Sequence, residues 1–230
     1  MNEGRIWWLD SAELSSAAEA SLAGLLSPDE LARQAGFRHE SRRREFGIGR
    51  ALARKMLGQA LGCDPKALVF ESGHRGKPQL VGQSPDIPGF NIAHSEGLIV
   101  VALCDRGDIG VDVLRSEQVV RDHRVLTKRY FSEPEATWVL DPESEKGRQR
   151  FLSLFTQKEA RLKLSGEGLA RPLNEVPVLL QTSDFQHPRA LLQGLDPDLG
   201  TGFLSAATSL DVTGWRVLPV GISKGLLENP

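Results

Sequence analysis

Ile109-Gly110-Val111-Asp112-Val113-Leu114-Arg115 is an apolar run of strand-forming character interrupted by one carboxylate. Burying Asp112 inside such a strand is costly unless something compensates its charge, and a metal ion would do so. The same aspartate also reads as a turn or cap residue at the end of the strand, where it stays in water. Towards the N-terminus, strand-like runs stand at 68–71, 89–93 and 98–104, each bounded by Gly, Pro, Asp or Ser. Several connections are too short for parallel crossovers, so antiparallel pairing is expected.

Helical patterns alternate with these strands. Ser27-Pro28-Asp29-Glu30 combines an N-cap residue, a proline at the first helical position and a glutamate three residues on. Residues 40–61 are rich in helix formers, with Phe46, Leu52, Met56 and Leu57 ahead of Gly62 and Pro65. Residues 116–130 read as a helix, and Ser132-Glu133-Pro134-Glu135 opens another. From 143 to 165 the apolar positions fall mainly at helical spacing, and Gly166 ends the segment. A short apolar stretch at 6–9 and strand-like runs at 176–180, 203–207 and 215–220 complete the pattern. The predicted class is α+β, in two linked halves, 1–106 and 107–230. Basic helix ends closed by glycine at 49–58 and 157–166 hint at a duplication.

The 230 residues are 40% apolar and 25% charged, an ordinary composition for a folded chain. A net charge of -2 and a pI near 6.2 give no global positive field for nucleic acid or anionic membrane, so any anion site must be local. Cys63 and Cys104 lack CxxC spacing and fit reduced thiols in a reducing cytoplasm. MNEGRIWWLD has no signal-peptide core, and no run of about 18 apolar residues occurs, so neither secretion by that route nor a membrane span is expected.

Four stretches carry chemistry. In Gln157-Lys158-Glu159-Ala160-Arg161-Leu162-Lys163, Glu159 and Lys163 share one helix face, a spacing that equally describes a solvated surface ion pair. The turn that follows, Ser165-Gly166-Glu167-Gly168-Leu169, allows a ligand or backbone to come close. Asp112 together with Glu159 forms the oxygen donor set that Mg2+ uses alongside phosphates and water. In Phe90-Asn91-Ile92-Ala93-His94-Ser95, alternation leaves His94 at the strand end, placed to donate to phosphate or to serve structurally. Arg75-Gly76-Lys77-Pro78 is a turn with two cations, suited to phosphate contact or simply exposed.

In this order these stretches resemble the Sfp-type 4'-phosphopantetheinyl transferases, whose hallmarks are GKP, FNxSHS, GxDxE and (W/F)xxKExxxK before a glycine-rich turn. The likeness spans roughly residues 27–173 and rests on Gly76-Lys77-Pro78, Phe90 to Ser95, Gly110 to Leu114 and Phe155 to Lys163. It implies two similar halves related by a pseudo-twofold axis, with coenzyme A and Mg2+ in the cleft between them, in a cytoplasmic monomer. It implies transfer of the phosphopantetheine arm to a serine of an apo acyl or peptidyl carrier protein, releasing 3',5'-adenosine bisphosphate.

By correspondence Asp112 and Glu159 would hold the metal, Glu159 would also act as base, and Lys163 would stabilise the leaving phosphate. Lys158, Lys163 and His94 would hold phosphate oxygens, while Arg33, Arg75 and Lys77 would face the nucleotide. The run Arg42-Arg43-Arg44, with Arg50 and Arg54, either assists or forms a solvated face. Arg121, Arg124 and Lys128, with Val119 and Val120, would dock the acidic carrier. Two departures stand out: Ala93 replaces the usual serine, and Leu114 replaces a second strand carboxylate. Competing readings are a coenzyme A-binding relative without turnover, a metal-dependent phosphohydrolase and, against the charge balance, a nucleic-acid module.

Overall fold

The computed structural model describes residues 2–73, 76–82, 87–115, 123–141, 146–178, 192–194, 202–210, 214–220, 222–223 and 226–227. Strand β1 (Glu3–Asp10) leads into helices α1 (Ser16–Ala23), α2 (Pro28–Ala35) and the 22-residue α3 (Glu40–Leu61). The capping box at α2 is formed as read: Ser27 Oγ accepts from Glu30 N at 3.3 Å, and Glu30 Oε2 accepts from Ser27 N at 2.9 Å. Gly62 ends α3 in the left-handed region, at φ 64°. A small hairpin follows, β2 (Phe70–Ser72) with β3 (Pro78–Leu80). Then come β4 (Gly89–Ser95) and β5 (Leu98–Cys104), joined by Glu96-Gly97 at φ 48° and 87°. Positive φ at both turn residues matches the twist of a tight hairpin.

The second half opens with β6 (Ile109–Arg115) and continues through α4 (His123–Tyr130), α5 (Glu133–Val139) and the 19-residue α6 (Gly147–Ser165). It ends in β7 (Leu192–Gly194), β8 (Gly202–Thr208), β9 (Gly214–Pro219) and the short pair β10 (Ile222–Ser223) and β11 (Leu226–Leu227). One sheet has the order β4-β5-β1-β9 and another the order β6-β8-β7. Helix α3 packs on β4 and β5, and α6 packs on β6 and β8. The pairing is antiparallel except for β9, which runs parallel to β1 with Gly4 opposite Trp215. Strand β9 therefore crosses the 106/107 division and ties the end of the chain into the first sheet.

β4 and β6 share no ladder and are joined by side chains instead. Val111 N donates to Asn91 Oδ1 at 2.9 Å, and Arg115 N donates to Ser95 Oγ at 3.3 Å. This explains the polar residues in an otherwise apolar β4: they satisfy backbone donors that a second sheet would otherwise have to pair. On the other face of β6, Gly110 permits close approach. A Cβ there would lie 2.0 Å from Ala160 O and 2.3 Å from Leu164 N.

Several expectations need correction. The apolar stretch at 6–9 is the middle of a central eight-residue strand, and α1, rich in Ala and Ser, lacks the apolar periodicity that announces a helix. Residues 176–178 are not a strand. Val176 closes a short turn over Leu173–Glu175, and its carbonyl accepts a hydrogen bond from Lys158 Nζ at 2.7 Å. Residues 116–122, 142–145 and 179–180 lie outside the described residues.

Gly110→Ala should lower stability by about 1–3 kcal/mol, because the clash is with helix backbone rather than with a movable side chain. Urea unfolding checks this, and the equivalent change at exposed Gly36, where the nearest atom lies at 3.3 Å, serves as the control.

Candidate active site

The alternation of β6 divides its side chains. Ile109, Val111 and Val113 enter the core between the sheets, while Asp112 sits on the same side as Gly110 and Leu114, towards α6. Because Gly110 admits the α6 backbone, Asp112 meets the last two turns of that helix. Lys163 Nζ lies 2.7 Å from Asp112 Oδ1, an ion pair that replaces the Glu159–Lys163 surface pair considered from spacing alone. Glu159, one turn back on α6, is half-buried beside them. Burial pushes the Asp112 carboxyl up against the opposing effect of Lys163. Burial and the Asp112 charge push Glu159 up as well, again opposed by Lys163. Two desolvated carboxylates thus share one lysine, an excess of negative charge that a hard cation would offset.

The donor set is of the kind Mg2+ takes: two carboxylates from facing elements, with the remaining positions to be filled by phosphate and water oxygens. Leu114 supplies no oxygen, and among the described residues no group of three or more His, Cys, Asp or Glu gathers to hold a metal. Leu114 instead packs against the cluster of Phe131, Phe151 and Phe203 while lining a cleft of about 550 Å3 with His94 and Arg42.

The remaining predicted residues divide into those the fold brings near and those it does not. Lys77 Nζ donates to Ile109 O at 3.1 Å and Lys163 O at 2.9 Å, clamping the start of β6 to the end of α6, and burial pulls its pKa down. Arg33 donates to Ser72 Oγ at 3.2 Å, lies over the Phe46 ring and approaches the Gly76 turn, and it lines a cavity of its own with Arg50 and Arg54. Arg75 and Arg121 lie outside the described residues. His94 stands at the end of β4, with its Nδ1 3.0 Å from Glu45 Oε2.

Lys158 is the exception. Its side chain is 0% exposed, 2.8 Å from Glu135 Oε1, and its ammonium also donates to Leu173 O at 2.9 Å and Val176 O at 2.7 Å. All three protons have partners on the far side of α6 from Asp112. The phosphate-binding role expected for it has no free donor, and the residue serves to anchor α5 and the 173–176 turn. Adjacent helix positions diverge by about 100°, so the Lys-Glu dipeptide necessarily sends its members different ways.

Residues 108–209, which contain β6, α6 and β8, match the model of the 4'-phosphopantetheinyl transferase superfamily. The chain is 34% identical over 187 residues to the protein slr0495 of Synechocystis, covering 77% of this chain and 75% of that one. It is 33% identical over 185 residues to the 4'-phosphopantetheinyl transferase HetI of Nostoc, covering 80% and 76%. It is 27% identical over 169 residues to the 4'-phosphopantetheinyl transferase Sfp of Bacillus subtilis, covering 73% and 72%. The chain belongs to the 4'-phosphopantetheinyl transferase superfamily. The transferase reading of the sequence therefore rests on both its motifs and its relatives.

One buried carboxylate in this transferase, Glu45, escaped the sequence reading, and another, Glu135, was read only as a helix cap. Glu135 was visible as a capping-box residue, and it does accept from Ser132 N at 2.8 Å, but its second oxygen also holds Lys158.

Lys158→Ala should cost about 3–5 kcal/mol of stability by leaving Glu135 buried without a cation, while the folded fraction keeps its affinity for coenzyme A. Chemical denaturation and calorimetric titration of coenzyme A separate the two effects.

Proposed function

We propose that this chain transfers the 4'-phosphopantetheine arm of coenzyme A to a serine of an apo acyl or peptidyl carrier protein, releasing 3',5'-adenosine bisphosphate in a magnesium-dependent reaction. The observation that carries this reading is the convergence of the buried or half-buried Asp112, Glu159 and Lys163 at one place in a chain of this family. Asp112 and Glu159 are the residues that would hold a Mg2+ ion, whose chemistry there would be to offset phosphate charge.

The protein groups do the rest. Glu159, the carboxylate beside Asp112 and Lys163, accepts the proton of the carrier serine. Lys163, held at 2.7 Å from Asp112, keeps a fixed positive charge where the departing phosphate develops negative charge. Arg33 and Lys77 face the nucleotide, and His94 meets phosphate from the opposite wall. Exposed Arg124 and Lys128 on α4, with Val125 60% exposed, offer a basic surface with an apolar centre to an acidic carrier.

We place the chain in the cytoplasm as a monomer, a setting that suits the free thiols of Cys63 and Cys104. The matching placement of α3 and α6 on their sheets supports the pseudo-twofold relation of the halves.

Intact-mass measurement of apo acyl and peptidyl carriers after incubation with coenzyme A and Mg2+ tests the reading. One phosphopantetheine mass should appear on the carrier serine, and Glu159→Gln should slow its appearance by ~100-fold or more with an unchanged melting temperature. Absence of the added mass on every carrier, or near wild-type transfer by Glu159→Gln, contradicts it.

A further inference from the structure

Glu45 is a buried carboxylate that the transfer chemistry above does not use. It projects from the second turn of α3, with its side chain 7% exposed, and both oxygens are engaged. Oε1 accepts from Gly97 N at 3.0 Å, pinning the β4–β5 turn whose residues both have positive φ. Oε2 lies 3.0 Å from His94 Nδ1 and accepts from Arg42 Nη1 at 3.4 Å. Arg42 Nη1 is also 3.3 Å from His94 Nδ1. A carboxylate oxygen can only accept and a guanidinium N–H can only donate. Nδ1 can make only one of these two hydrogen bonds, donating to Glu45 when protonated or accepting from Arg42 when not, and the shorter contact, with a carboxylate oxygen at 3.0 Å, selects the protonated form.

We infer that Glu45 is a positioning residue that fixes the tautomer and orientation of His94, reserving Nε2 for a phosphate of the bound coenzyme. Which ring nitrogen is available follows from the hydrogen bond that the other one makes. With Nδ1 committed to Glu45, Nε2 points away from α3. Besides Glu45 and Arg42, the charged groups that act on the ring are Lys163 and Asp112. When phosphate arrives, the ring takes a second proton from solvent on Nε2 and donates it to a phosphate oxygen, while Glu45 faces the resulting imidazolium. A histidine lacking this partner could instead carry its single proton on Nε2, leaving nothing to hold the ring plane. The inference rests on the function proposed above and adds to it a residue outside the recognised motifs, on helix α3.

Long-range 1H–15N NMR of the ligand-free, full-length protein reads the tautomer directly. The chain has five histidines, and the signal missing from His94→Ala identifies the ring. The neutral ring should be protonated on Nδ1 in wild type and shift towards Nε2 in Glu45→Ala. Calorimetry with coenzyme A and Mg2+ should then show Glu45→Ala and His94→Ala each weakening binding about tenfold, with the double variant no weaker than His94→Ala alone. An Nε2-protonated ring in wild type, or losses that add in the double variant, would overturn the inference and leave Glu45 as a staple of the turn. Should coenzyme A fail to bind wild type, the functional reading falls, while the ligand-free spectrum still decides the role of Glu45.

Discussion

The approach of helix α6 to strand β6 is the constraint on which the rest depends. Glycine at 110 lets the carbonyl of Ala160 and the backbone of Leu164 occupy the space that a Cβ would fill. That approach sets the helix at a height and rotation that turn Glu159 and Lys163 towards Asp112. Lys77 locks the arrangement by donating to a main-chain carbonyl on each element. The other face of β6 is held by Asn91 and Ser95, so the strand is wedged between α6 and β4. A site built on a strand and a long helix, both fixed from outside, holds its charges without rearrangement.

Electrostatics gives this geometry its chemistry. Asp112 and Glu159 are each pushed up by burial, and one lysine answers both. The ligand-free protein thus carries a local excess of negative charge, while Arg33, Lys77 and Arg42 bring cations to cavities of their own. A cation and a polyphosphate together complement both features, whereas either alone leaves one uncompensated. With Leu114 in place of a third carboxylate, more of the coordination of the proposed cation would fall to the ligand.

Much of this was legible in the sequence, for identifiable reasons. The caps and glycine stops at Ser27, Gly62, Ser132 and Gly166 are local chemistry, and the helices begin or end where those residues stand. Asp112, Glu159 and Lys163 were legible as candidates because a carboxylate in an apolar strand and a charged pair at helical spacing each ask for a partner. The long-range terms were not. Nothing near Lys158 announces that Glu135, Leu173 and Val176 will take its three protons. Likewise Glu45 looks like one more charge in an arginine-rich helix until β4 brings His94 alongside. The parallel pairing of β9 with β1 joins residues about 210 positions apart, beyond the reach of periodicity.

The central claim is that Asp112 and Glu159 form a two-carboxylate cation site that becomes strong only with the ligand's own oxygens. Calorimetric titration of Mg2+ into wild type, Asp112→Ala and Leu114→Glu, with and without coenzyme A, measures this directly. The account predicts weak Mg2+ binding by free wild type, tight binding once coenzyme A is present, loss of both in Asp112→Ala, and a gain by Leu114→Glu without the coenzyme. Tight Mg2+ binding by the free wild-type protein, unaffected by Asp112→Ala, would contradict it.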